Sequence, residues 1–357
     1  MTVEMAAVLA VIIAATAFDF TNGFHDAANA IATSVSTRAL TPGIALLVAS
    51  LGNFVGTHFG GNVAKTVGEG LVVLPQGLSS LGVVFAGVLG AIGWNLLTWY
   101  LGLPSSSSHA LFGGLVGATL FASGGQVRWG NIVGKVIVPM IASPLVGFLL
   151  GALVMSLLLW SVKGLTTYAL AEPPDGTLSP LRRRIRAAVQ PTMLNRLFRY
   201  AQTLSAAAMA VGHGMQDAAK TMGIIVLALY TGELQDSPDH IPWWVYYTTA
   251  TVLALGTYAG GWRIIRTLGR RIIDLGPPEG FAAESVASSV LYVTAAYGAP
   301  ISTTHTITSA IMGVGATKKL SAVRWGVAGN IVTAWLLTFP GAGLLAGLVW
   351  LVVRVFY

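Results

Sequence analysis

The chain has 357 residues, 54% hydrophobic and only 9% charged, with a mean hydropathy of +0.73; soluble domains carry about 25% charged residues. Its net charge of +7 sits in loops between apolar tracts, where membrane insertion places basic residues, and that distribution excludes a nucleic-acid partner. There is no cysteine, which excludes disulfides and thiolate metal sites, and the apolar runs are continuous, which excludes an alternating β-barrel.

In chain order, the apolar tract Met5 to Ala17 lacks the basic start and cleavage site of a signal peptide and reads as a span. "FDFTNGFHDAANAIAT" follows, with Asp19, Asn22, Asp26, Asn29 and Thr33 at steps of 3 and 4. On a helix they share one face, and Asn22-Gly23 predicts a break in it. Leu81–Leu101 and Ile141–Val162 are of spanning length, about 20 residues. Between them stands "PSSSSHA", Pro104 to Ala110. Proline starts a helix without needing its N–H, so this stretch reads as a helix N-terminus at a hairpin tip, with free N–H groups and hydroxyls pointing one way. Residues 163–200 hold "EPPDGTLSP" and "LRRRIR" and read as a cytoplasmic linker with a short basic helix.

Beyond the linker the same motifs return in the same order. "GFHDAAN" at Gly23 matches "GMQDAAK" at Gly214. "GTHFGGNVAKTVG" at Gly56 matches "GTYAGGWRIIRTLG" at Gly256 with one inserted residue. "PSSSSH" matches "PISTTH", and "VRWG" recurs, both 196 residues later. The chain therefore divides into repeats 1–162 and 201–357 around the linker. The loop "TGELQDSPDHIP" is acidic and predicted outside. Arg263, Arg266, Arg270 and Arg271, then Lys318, Lys319 and Arg324, mark the inside. The second hydroxyl hairpin thus enters from the cytoplasm and the first from outside, so the repeats are inverted. The expected fold is an all-α polytopic membrane protein of two inverted-topology repeats, with broken helices and re-entrant hairpins. Both termini are expected outside the cell membrane.

Two opposed tips, Ser105, Ser106, Ser107 and Ser108 with Ser302, Thr303 and Thr304, would replace the hydration shell of a small oxyanion. Beside it, Asp26 and Asp217 would repel the anion strongly in low dielectric, so they must be protonated or cation-bound. Asp26 with Asn29, and Asp217, offer hard oxygens for Na⁺ or a proton site; Asn22 lies on the same face. In the second copy Lys220 replaces Asn29 and reads as a fixed cation beside Asp217. Glu284 is the other acid inside an apolar tract, with a proton or gating role or a helix-break cap as alternatives. His25, His109, His213 and His305 read as hydrogen-bonding residues. The function that results is cation-coupled anion symport. A serine hydrolase lacks its G-x-S-x-G elbow, so no enzyme is expected. A passive channel would use rings of Arg or Lys. Sulfate, unlike phosphate, has no proton to donate to a carboxylate at neutral pH.

"NGFHDAANAIATSVSTRALTP", "GMQDAAKTMG", "GGWRIIRTLG" and "PISTTHTI" resemble the inorganic phosphate transporter (PiT) family, specifically its bacterial low-affinity Pit branch. The resemblance implies an inverted repeat and cation-coupled phosphate uptake. It makes Asp26 and Asp217 cation-site residues and the hydroxyl tips phosphate contacts. Sodium-coupled members tend to carry Asn in both signature copies. Gln216 and Lys220 here point to H⁺ as the coupling ion, with Na⁺ coupling and sulfate transport within the superfamily as alternatives. The resemblance further implies that a divalent metal can travel with phosphate. Partners are inorganic phosphate and bilayer lipid, with a homo-oligomer allowed; no resident cofactor is expected.

Overall fold

The computed structural model describes residues 2–74, 77–122, 125–172 and 179–356. The middle of the expected linker, residues 173–178, lies outside them. In the first half run α1 (Val3–Ser36), the bent pair α2 (Pro42–Thr57) and α3 (Gly61–Gly70), α4 (Leu78–Leu101) and α5 (Ser107–Phe121). Next come α6 (Trp129–Asn131), a π turn (Ile132–Ile137) and α7 (Val138–Leu170). The basic run of the linker forms α8 (Pro180–Ala188), capped by the Ser179 side chain. The second half holds α9 (Pro191–Thr231), α10 (Trp243–Ala259), α11 (Trp262–Arg270), α12 (Pro277–Ala296), α13 (Thr303–Lys318) and α14 (Trp325–Val353). Two short strands, Val72–Val73 and Gln126–Val127, pair antiparallel.

Among the described residues, four helices are long and apolar enough to cross a membrane: Val3–Ser36, Leu78–Leu101, Trp129–Leu170 and Trp325–Phe356. The bent pair α2–α3 makes a fifth if it counts as one span. Outward-facing Leu145, Leu149, Leu336, Leu344 and Leu348 are exposed, as lipid-facing residues would be. The hairpin helices α5 and α13 are too short to cross; α5, at 15 residues, is about 22 Å long. Both are buried along most of their length.

The halves are intertwined. Signature helix α1 packs on α10 and α11 of the second half, and α9 packs on α2 and α3 of the first. The hairpin α4–α5 is completed by α14, and the hairpin α12–α13 by α7. Each hairpin turns at a matching glycine. Gly102 has φ +67° and Gly298 φ +65°, a left-handed conformation that costs a glycine nothing. The next residue closes each helix end in the same way: Leu103 N donates to Thr98 O, and Ala299 N to Thr294 O, both at 2.9 Å. This is the hydrogen-bond pattern of a Schellman cap.

The expected break at Asn22-Gly23 is absent: α1 is one continuous helix. Gly23 serves close packing instead. A Cβ there would meet Leu253 O at 2.6 Å and Thr257 N at 2.8 Å, and one at Gly256 would collide with Phe20 O. The breaks lie in the other repeated motif. α2 and α3 are bent by 67°, and α10 gives way to α11 through Gly260, at φ +75°.

The α5–α14 crossing is just as close, since a Cβ on Gly117 would collide with Gly343 O, whereas nothing lies within 4 Å of one on Gly329. Gly117→Ala therefore lowers the melting temperature in detergent, the overpacking cost being about 1–3 kcal/mol. Gly329→Ala leaves it unchanged or raises it. Equal melting curves for the two variants would refute the close-crossing account.

Candidate functional site

The polar site forms where α1 crosses α9 and the two hairpin tips meet them. Proline precedes each tip, and a serine caps each helix. Ser106 Oγ accepts from His109 N, and Ser302 Oγ accepts from His305 N, both at 3.2 Å. The rings of these two histidines lie 4.6 Å apart, and His305 stacks on Trp335 at 3.9 Å. The tips that the sequence separates by 196 residues thus touch.

Each tip bonds to its own half's aspartate. Ser107 Oγ donates to Asp26 Oδ2 at 2.5 Å, and its counterpart Thr303 Oγ1 donates to Asp217 Oδ2 at 3.3 Å. The signature residues also reach across. Asn29 Nδ2 donates to Thr303 Oγ1 at 3.2 Å and Thr304 Oγ1 at 2.9 Å. Thr304 Oγ1 donates to Asp26 Oδ1 at 3.5 Å. Lys220 Nζ donates to Asp217 Oδ1 at 2.7 Å, to Ser108 Oγ at 2.5 Å and to Ile301 O at 3.1 Å. All three ammonium donors are therefore used. His213 Nε2 lies 3.0 Å from Asp217 Oδ2, and its Nδ1 lies 3.0 Å from Asn53 Oδ1. Ligand atoms of Asp26, His213 and Asp217 all fall within 4.8 Å of one another.

Every one of these side chains is buried. Some acceptors nevertheless have no partner: Asn22 Oδ1, Asn29 Oδ1 and Asp19 Oδ2. All three lie on the α1 stripe, and a buried oxygen without a donor is costly. The α9 copy differs, since Lys220 Nζ and Thr303 Oγ1 donate to the two oxygens of Asp217, while His213 Nε2 has no hydrogen-bond partner. Apolar clefts of about 430 and 350 Å³ flank α7; the first reaches Thr294 and Ile301, the second His305 and Trp335.

Of the seven hydroxyl residues expected at the tips, four face the aspartates, Lys220 or Asn29: Ser107, Ser108, Thr303 and Thr304. Ser106 and Ser302 are spent as caps. Ser105 Oγ donates to Thr98 Oγ1 at 2.8 Å, so it ties its hairpin together. Glu284 stands apart, bonded to Thr33, to Ser205 at 2.5 Å and to Gln202 at 3.4 Å. Thr33 is seven residues beyond Asp26 on α1, about 10 Å along the axis.

A second layer contains His25, expected to hydrogen-bond, but its partners and its pairing with Gln216 were not foreseen. His25 Nδ1 lies 2.6 Å from Asp26 Oδ1, and Nε2 reaches Thr98 Oγ1 at 3.1 Å and Ser105 Oγ at 3.3 Å. Gln216, at the matching position, donates to Thr294 Oγ1 at 3.0 Å and accepts from Ile301 N at 3.3 Å. Thr98 and Thr294, like Ser105 and Ile301, are 196 residues apart. The offset that aligns the hydroxyl runs was the available signal for both ties.

Fold and site define a multi-pass helical membrane protein with a buried, duplicated cluster of hydroxyls, carboxylates and one lysine. The chain belongs to the phosphate transporter family, whose model matches residues 22–346. It is 44% identical over 333 residues to a "Probable low-affinity inorganic phosphate transporter" of Rhizobium meliloti (strain 1021), covering 93% of this chain and 92% of that one. To the Mycobacterium tuberculosis (strain CDC 1551 / Oshkosh) protein of the same description it is 42% identical over 346 residues, 96% of this chain and 77% of that one. A solved structure titled "The sodium-dependent phosphate transporter" shares the fold, with a TM-score of 0.85 over 99% of this chain and 100% of that one, at 23% identity. Membership of a transporter family also removes the hydrolase reading.

Proposed function

We propose that this chain imports inorganic phosphate across the cell membrane with a coupling cation, a proton in the first instance, by alternating access of two inverted halves. One observation carries the reading. The tip hydroxyls of Ser107 and Thr303 donate to Asp26 and Asp217, where an oxyanion would otherwise accept them. Phosphate can take those hydroxyls only when the carboxylates release them. Two ionised carboxylates and an anion within a few ångströms repel strongly in a buried site. Loading a cation or proton on the aspartates frees the hydroxyls and removes the repulsion in one event, and that coincidence is the coupling.

The halves contribute unequally. Around Asp26, the unpartnered oxygens of Asn22 and Asn29 are the hard acceptors that Na⁺ or a proton-bearing group would use. Around Asp217, the Lys220 ammonium already supplies the positive charge. This favours one exchangeable cation position at Asp26 and a built-in one at Asp217, and so H⁺ over a paired-Na⁺ mechanism. The Asp26–His213–Asp217 group has nitrogen and oxygen donors suited to a divalent metal arriving as cargo with phosphate. Glu284, further along the same stripe, is a second protonatable station. The basic loops and linker favour an orientation with both termini outside.

The test is radiolabelled phosphate uptake into proteoliposomes with pH and Na⁺ gradients imposed separately and sulfate as competitor. The expected result is phosphate accumulation driven by an acid exterior, no accumulation from a Na⁺ gradient alone, and little competition by sulfate. Accumulation driven by Na⁺ and indifferent to pH would overturn proton coupling; equal competition by sulfate would overturn the substrate assignment.

A further inference from the structure

The two halves hold their hairpins by matching bonds from different residues. In the second half's hairpin, the Ala296 carbonyl accepts from Asn62 Nδ2 of α3 at 3.1 Å. In the first half's hairpin, the Tyr100 carbonyl, 196 residues earlier, accepts from Arg263 Nη1 of α11 at 2.6 Å. Once the inserted residue is allowed for, Arg263 is the counterpart of Asn62. A neutral amide thus suffices for this tie. The guanidinium in the other half brings a charge that the tie does not require.

That charge is not alone. Arg263, Arg266 and Arg271 line one cavity of about 370 Å³ with Trp262, Tyr100 and Gly102. The matching positions of the first half, Asn62, Lys65 and Gly70, carry one charge in place of three. No carboxylate among the described residues lines the basin. Among the described residues, neither Arg266 nor Arg271 has an ion pair. Arg263 is fixed over the Trp99 and Tyr100 rings, at 5.2 and 4.9 Å, and keeps further donors free for a ligand. Setting a membrane orientation requires only that arginines occupy a loop. It does not require three arginines to line one concavity. The basin also adjoins the first hairpin. Thr267 Oγ1 donates to Gly102 O at 2.9 Å, and Gly102 is three residues before Ser105.

We propose that the Arg263–Arg266–Arg271 basin binds a phosphate group at the mouth of the first hairpin, where it concentrates anions at one face of the carrier. Guanidinium forks match phosphate oxygens in pairs, and a charge-lined cleft raises the local anion concentration. The group comes either from the free ion or from an anionic lipid headgroup. The proposal rests on the carrier reading only for the free-ion arm.

The test uses the full chain in phosphatidylcholine liposomes and the variant Arg266→Gln/Arg271→Gln, which leaves the Arg263 tie intact. Under the free-ion source, half-saturation for phosphate presented from the basin face rises about tenfold, the low end for charge-lined clefts, with the maximal rate kept. Arg266→Lys/Arg271→Lys restores most of it. Under the lipid source, half-saturation is unchanged, but the Gln variant loses the phosphatidylglycerol that the wild type retains in native mass spectra. Trp262 lines the basin, so quenching of its fluorescence by inorganic phosphate, with Trp262→Phe as blank, reads occupancy without transport. A wild type that moves no phosphate yet shows this quenching counts against the carrier reading and not against the basin. Unchanged half-saturation, lipid retention and quenching in the Gln variant would overturn the basin.

Discussion

Asp26→Asn stops pH-driven phosphate accumulation and leaves the fold standing. The substitution keeps the side chain's size and shape. At Asp26 Oδ2, which now accepts from Ser107 at 2.5 Å, it sets either an amide donor against a hydroxyl or a weaker neutral acceptor. At Oδ1 it weakens the contacts with His25 at 2.6 Å and Thr304 at 3.5 Å. Hydrogen bonds to a charged group contribute about 1.5–3 kcal/mol each. Weakening them costs the unloaded site part of that amount but does not itself slow transport, because phosphate has to displace the same hydroxyls. The larger loss is chemical: an amide can neither take up a proton nor hold a cation by charge, so no gradient can be spent at this position. The check pairs uptake driven by an acid exterior with a melting curve in detergent. A variant that melts near the wild type and still accumulates phosphate would show that coupling does not run through Asp26.

The duplicated cluster was legible because its motifs repeat in sequence. A proline, a hydroxyl run and a histidine at one offset located both tips, and the stripe from Asp19 to Thr33 located the face of α1. What escaped depended on which half touches which. Nothing in the order of segments says that α14 closes the hairpin of the first half and α7 that of the second; tertiary packing decides it. Gly23 was misread for the same reason. A glycine in a helical pattern marks either a hinge or a close contact, and only the approach of the Leu253 carbonyl separates the two. Ser106 and Ser302 looked like their neighbours in the hydroxyl runs. Position relative to the helix start makes them caps, and a one-residue uncertainty in that start hides the distinction. His25 was expected to hydrogen-bond, but Gln216 shares its position and task without its chemistry, so residue-type matching passed over the pairing.

Lys220→Asn gives the sharpest separation between a structural lysine and one that stands in for a coupling ion. In the wild type the ammonium bonds Asp217, Ser108 and the Ile301 carbonyl, tying α9 to both tips. The shorter amide copies Asn29 of the first half and cannot span all three partners. Asp217 is then left as a buried carboxylate facing His213 and Thr303. Breaking a buried pair from one side costs about 3–5 kcal/mol, so without added cation the melting temperature falls well below wild type. The vacated volume is bounded by the Asp217 carboxylate, the introduced amide and the Ile301 carbonyl, an all-oxygen set suited to Na⁺. Sodium that binds only the folded variant stabilises it in proportion to ln(1 + [Na⁺]/Kd). The expected result is a melting temperature that climbs with NaCl but not with choline chloride in Lys220→Asn, and does not climb in the wild type. Phosphate uptake by the variant then gains a Na⁺ requirement. If choline and sodium act alike on both proteins, Lys220 is an ordinary intramembrane ion-pair partner, and the single-cation stoichiometry loses its basis.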